Sequence, residues 1–158
     1  MASKETLNNA LKEAMKSKQN ERRDVIRSLL SAIKQVEIDN RIKNDETKFP
    51  TELTSELIVD VLQKEAKTHR ETITELDKSA NDHSEQITQS EYAITVIGEF
   101  LPQQMSREEI ETIVKAAVAQ TGATSAKEMG KVMGIIQPQT KGRADGKLVS
   151  DIVKAILG

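Results

Sequence analysis

Apolar residues recur along this chain at three- and four-residue intervals, the spacing of one face of an α-helix. Ser3 precedes a stripe of Leu7, Leu11, Ala14 and Met15, which predicts a capped amphipathic helix. Lys16 to Asn20 breaks the pattern, and Asn20 is placed to cap a second helix. That helix presents Val25, Ile26, Leu29, Leu30, Ile33 and Val36 and fades around Asn40. Residues 41–53 are polar, contain Pro50 and lack periodicity, which predicts a loop. A long third helix opens at Thr54, with Leu57, Ile58, Val61, Leu62, Ala66, Ile73 and Leu76 on its inner face. Ser79 to Asp82 reads as a turn, and a fourth helix carries Ile87, Ala93, Ile94, Val96 and Ile97 inward.

Leu101-Pro102 should stop that helix, because a residue before proline disfavours the helical region. The sequence thus predicts an N-terminal helical domain over 1–100 and a C-terminal three-helix domain over 101–158. Ser106-x-x-Glu109 is a capping box before the run Ile110, Ile113, Val114, Ala117 and Val118, with Gly122 as its C-terminal cap. Ser125-x-x-Glu128 reads as a second box, opening a helix that contains Gly130 and Gly134 and that Pro138 should end. Asp145 is placed to cap a last helix with Leu148, Val149, Ile152, Val153, Ile156 and Leu157 inside. The expected fold is all-α: a bundle of about four helices, then three short ones packed as a unit. No strand pattern, internal repeat or low-complexity tract interrupts it.

Composition narrows the chemistry. There is no Cys, which excludes disulfides, thiolate metal sites and cysteine nucleophiles. Tyr92, Phe49 and Phe100 are the whole aromatic complement, so Leu, Ile, Val, Ala and Met must fill the core. A formal charge of −2 means that any nucleic-acid contact must come from a local patch. Met1 to Glu5 has no apolar h-region, so no signal peptide is predicted, and no run has the apolar length of a membrane span. A cytoplasmic protein is expected.

No constellation in the sequence points to catalysis or to a metal. The many carboxylates, such as Glu108, Glu109 and Glu111, sit at helical spacing near Lys and Arg and read as a solvated face. His69 and His83 are the only histidines, and Glu65 with His69 makes a two-ligand set at most. There is no Ser-centred nucleophile motif. Gly142-x-x-x-Gly146 lacks the preceding strand of a phosphate loop, and Lys147 is not followed by Ser or Thr. No cofactor is expected.

The last thirty residues stand apart. Gly130 and Gly134 lie four apart in a helix, although glycine costs about 1 kcal/mol there relative to alanine. Close backbone approach would offset that cost, either by a packed helix, the favoured reading, or by a ligand. Residues 127–154 hold six Lys or Arg against three acids, with Lys131, Lys141, Arg143 and Lys147 as the candidate anion-binding set. Gly142 and Gly146 bracket the basic turn. They either let a phosphate approach or simply turn the chain under solvated cations. Asp145 counts against a phosphate if its carboxylate already caps the helix.

The segments Met129-Gly130-Lys131-Val132-Met133-Gly134 and Lys141-Gly142-Arg143-Ala144-Asp145-Gly146-Lys147-Leu148-Val149 resemble the GatB/YqeY family. Arg27 to Lys34, Val61 to Lys67 and Phe100-Leu101-Pro102-Gln103-Gln104 agree with it, so the resemblance runs through nearly the whole chain in order. The C-terminal part is similar to the tail domain of the B subunit of glutamine-dependent aspartyl/glutamyl-tRNA amidotransferase, a tail implied to grip tRNA. That tail commonly reads Lys-Gly-x-Ala-Asn-Pro. Asp145-Gly146 here keeps a helix cap and adds a negative charge.

The resemblance implies a tRNA-binding accessory module within a family often filed under carbon–nitrogen ligase activity with glutamine as amido donor. A chain of 17.5 kDa has no room for the phosphorylating, transamidating or amidase domains, so no catalysis by the chain alone is expected. Two other expectations stand beside this one. The N-terminal helices could dock a protein partner, or the chain could serve in trans as an amidotransferase subunit. Neither the tRNA nor the oligomeric state is legible in the sequence.

Overall fold

The computed structural model describes residues 2–43 and 52–158. The described residues form seven α-helices and one short 3₁₀ turn and contain no strand, the all-α fold that the periodicity predicts. The chain divides into two compact units, residues 1–102 and 103–158.

The first unit holds α1 (Lys4–Lys16), α2 (Asn20–Lys43), α3 (Ser55–Asp77) and α4 (Ser84–Phe100). Ser3 caps α1 by accepting from the Thr6 amide, and Thr54 caps α3 by accepting from the Leu57 amide. The core is aliphatic: Leu7 of α1, Ile26, Leu29 and Ile33 of α2, Leu62 of α3, and Val96 and Ile97 of α4 are buried. Each such side chain contributes about 1.5–3 kcal/mol on leaving water. The closest pairings are α1 with α2 and α3 with α4.

The buried stripe of α2 ends on a charge. Glu37 lies one turn beyond Ile33 and is buried, and the Lys4 ammonium donates to both its oxygens at 3.1 Å. The Leu53 amide donates to the same carboxylate at 3.3 Å, so this group ties α1, α2 and the approach to α3 together. At the other end of α2, Arg22 grips Glu99 of α4 through two bonds of 2.8 and 2.7 Å. That fork holds the Glu99 carboxyl below its ordinary range and raises the Arg22 guanidinium.

Several expectations need correction here. Asn20 does not cap α2 but begins it. Lys18, in the left-handed region at φ 55°, turns the chain so that the Gln19 carbonyl accepts from the Arg23 amide. The helix also runs on through Lys43, into the expected loop, whose residues 44–51 lie outside the described residues. Met15 and Leu57, placed inside by periodicity, are 53% and 45% exposed.

The second unit holds α5 (Arg107–Thr121), the 3₁₀ turn Ala126–Glu128, α6 (Met129–Thr140) and α7 (Gly146–Leu157). Ser106 and Glu109 complete the predicted reciprocal box, and Gly122 closes α5 at φ 67°. The core joins Ile110 and Val114 of α5, Val132 and Ile136 of α6, and Val149, Ile152 and Val153 of α7.

The second predicted box does not form. Ser125 makes no side-chain cap, and the Glu128 carboxylate instead accepts from the Thr124 amide at 2.8 Å. That bond, helped by Lys131, holds the Glu128 carboxyl below its ordinary range. Pro138 does not end α6, which continues to Thr140. The amide bond that proline lacks would go to the carbonyl of Gly134, and Gly134 is exposed, so water can satisfy that oxygen. Leu148, expected inside, is 36% exposed.

Candidate nucleic-acid interface

Charge separates along the chain. Residues 103–158 carry eight Lys or Arg against six Asp or Glu, a formal +2, whereas residues 1–102 carry fifteen against nineteen, a formal −4. An anionic partner therefore favours the second unit, although the whole protein is acidic.

The basic turn joins α6 to α7. The Thr140 carbonyl accepts from the amides of both Arg143 and Ala144, at 2.9 and 3.0 Å, which winds the chain back on itself. Gly142 occupies the left-handed region at φ 78° and is buried, so the turn itself requires a glycine there. The segment entering the second unit then fastens the turn from outside. Arg143 Nε donates to the Gln103 carbonyl at 3.2 Å, and the Gln104 side-chain amide donates to the Gly142 carbonyl at 3.1 Å. The Met105 amide donates to the Arg143 carbonyl at 2.8 Å. Periodicity could not reveal this strap, because its partners lie 38 to 40 residues apart. The one sequence signal was the pair of glutamines directly after Leu101-Pro102.

The strap sorts the four candidate cations. Lys141 sits at the C-terminal end of α6 and Lys147 in the first turn of α7, both exposed on the flanks of the turn. Arg143 is half-buried within the turn, with one guanidinium nitrogen already committed to Gln103. Lys131 is exposed on α6, about 15 Å along the helix from Lys141, and lies 3.8 Å from Glu128. Lys141, Arg143 and Lys147 thus share one local feature, and Lys131 stands at a separate point of the same helix.

The start of α7 already has an anion. Asp145 accepts from the Lys147 amide at 2.7 Å, so the protein's own carboxylate meets part of that positive helix end. A phosphate here would meet lysine side chains rather than the capped amides.

Gly130 and Gly134 differ from the expected picture. Both are exposed, and a methyl group added at either would meet nothing within 4 Å. They do not mediate close helix packing, and the core of α6 faces inward through Val132 and Ile136. The glycines leave one outward strip of α6 without side chains, with Lys131 beside it. Gly146 is likewise exposed with open space around it.

His69 is half-buried, and His83 bonds Gln86 and Ser79 at 2.6 and 3.2 Å beside the start of α4. Among the described residues no group of three His, Cys, Asp or Glu is placed to hold a metal.

An all-helical chain with a four-helix unit followed by a three-helix tail is the class defined by this architecture. Residues 4–157 match the family described as Yqey-like protein, and the chain belongs to that family. The same domain is found in the C-terminal tail of GatB. Among curated proteins, none matches the chain. No helix among the described residues is long and apolar enough to cross a membrane.

Proposed function

We propose that the protein is a non-catalytic, cytoplasmic accessory module that binds tRNA or another structured RNA through its second unit. The observation that supports this reading best is the fastened basic turn. Three hydrogen bonds hold Gly142 and Arg143 in place, and the exposed Lys141 and Lys147 flank the turn along the chain. A fixed turn presents cations with little ordering cost on binding. The kinship with the amidotransferase tail supports tRNA as the RNA.

Recognition would be by shape and charge. The unit contains no aromatic residue on which a base could stack, since Tyr92, Phe49 and Phe100 all precede residue 103. About three to four phosphate contacts give a log–log salt slope of roughly −3. The test is binding of purified protein to total tRNA at two salt concentrations, beside the variant Lys141→Glu/Arg143→Glu/Lys147→Glu. Salt-sensitive binding that the variant loses supports the reading. Affinity indifferent to salt, or retained by the variant, overturns it.

One observation favours a second reading, a helical protein-interaction module. Met15 of α1 is 53% exposed, and Ile38 and Ile42 lie one turn apart on α2, the latter 79% exposed. Docking through these positions would survive the triple charge reversal and fail in Met15→Ser/Ile42→Ser. Service in trans to an amidotransferase would show as raised transamidation when the protein is added to such an enzyme.

A further inference from the structure

The first unit contains a groove of about 590 Å³ between α2 and α4, with His69 contributed by α3. That volume lies within the range of small-molecule sites, about 300–1,000 Å³. Its deepest lining is apolar: Leu29 and Ala93 are 2% and 4% exposed, with Val25 beside them.

A polar group interrupts this floor. Ser90 is 7% exposed and lines the groove, and its hydroxyl makes no hydrogen bond among the described residues. Among the described residues no side-chain polar atom sealed from solvent lacks a partner, so this hydroxyl keeps solvent access where Ser90 lines the groove. The threonines along these helices behave otherwise, since Thr88 and Thr95 of the same α4 turn back onto carbonyls four residues earlier.

The carboxylates Glu21 and Asp24 are the acidic groups in the groove lining, and His69 is its one basic side chain, since none of its lining residues is Lys or Arg. Asp24 is compensated by Arg23 at 2.7 Å, whereas Glu21 makes no ion pair among the described residues. Arg22, next along α2, has its guanidinium fork committed to Glu99. Tyr92, 37% exposed, adds an aromatic face, which attracts cations.

We propose that this groove binds a small organic cation, an amine carried on a compact apolar body. The body lies on Val25, Leu29 and Ala93, the Ser90 hydroxyl accepts a hydrogen bond from the ligand, and Glu21 is the counter-ion. An anion would face the Glu21 and Asp24 carboxylates, with His69 as the one basic side chain in the lining.

The test is an amide NMR titration of the full chain with phenethylamine, its neutral analogue 2-phenylethanol and the anion phenylacetate. The amine should shift the Leu29, Ser90 and Ala93 amides and bind about tenfold more tightly than the alcohol, with no response to the anion. Glu21→Gln, at an exposed position, should bring the amine down to the alcohol. Ala93→Leu should block both probes by filling the floor. Shifts outside the groove, equal response to amine and anion, or an unchanged amine preference in Glu21→Gln would each overturn the proposal. If Ala93→Leu fails to fold, Glu21→Gln alone decides.

Discussion

The Gln104 side-chain amide donates to the carbonyl of Gly142 at 3.1 Å, joining the entry of the second unit to the turn before its last helix. Gly142 holds a left-handed backbone at φ 78°, and its carbonyl is the acceptor of this bond. Gln104→Ala should therefore cost about 1 kcal/mol, the net value of one such bond. Gly142→Ala should cost more, because alanine resists that backbone region. Urea unfolding of both variants checks the order. A Gly142→Ala protein as stable as the parent would show that the turn does not need its glycine.

The same strap makes the basic residues unequal under mutation. Lys147→Glu, at an exposed position, should weaken RNA binding and leave the urea midpoint within experimental scatter. Arg143→Lys should do both kinds of harm. It keeps the charge but loses the planar guanidinium that reaches the Gln103 carbonyl, so stability should drop by about 0.5–1.5 kcal/mol. Binding and unfolding measured on the same preparations separate the two effects.

The Lys4–Glu37 contact is partly buried and should matter more than exposed pairs such as Lys67–Glu71. Lys4→Met leaves a buried carboxylate with one backbone donor, from Leu53, and should destabilise the protein by about 1–3 kcal/mol. Lys67→Met should change stability by less than about 0.5 kcal/mol. Equal effects in denaturant unfolding would refute the assignment of Glu37 as a tie between elements.

Acid should weaken the fork between α2 and α4. The folded Glu99 carboxyl lies below its ordinary range because Arg22 bonds its charged form, so folding favours the deprotonated group. The resulting stability is complete above the ordinary carboxylate value of about 4.3 and is lost as pH falls through the lower folded value. Asp24, Asp82 and Glu128 are lowered too and act with the same sign. Glu99→Gln should lose less stability than the parent between pH 6 and pH 3, as read from urea midpoints. The pair is half exposed, so the difference should be small and should shrink with added salt.

Local signals were legible in the sequence and distant ones were not. Ser3, Thr54, Ser106 with Glu109, Gly122 and Asp145 act within four residues of themselves, and each marks a real helix end. Periodicity found Ile26, Leu29 and Ile33 but placed Met15, Leu57 and Leu148 inside, because a stripe is wider than the surface its neighbours cover. Pro138 misled for a solvation reason, since Gly134, whose carbonyl loses its donor, is an exposed residue. Glu37 and the Gln103–Met105 strap depend on partners that only the fold brings near. Lys141, Arg143 and Lys147 were readable as a basic cluster. The tie of Arg143 to the turn was not, because it rests on the carbonyl of Gln103.

Gly130 and Gly134 provide a test in which stability and function should move in opposite directions. A methyl group at either position meets only open space, and alanine is the better helix former. Gly130→Ala and Gly134→Ala should each stabilise the protein by about 0.5–1 kcal/mol. If the side-chain-free strip of α6 receives an RNA backbone beside Lys131, the same substitutions should weaken tRNA binding in the more stable proteins. Larger residues at these positions should weaken it further. Misfolding cannot produce that combination, so it would tie the glycines to contact with a ligand. Higher stability with unchanged binding would confine the interface to the turn around Lys141 and Lys147, and the bare strip would then have no part in holding RNA.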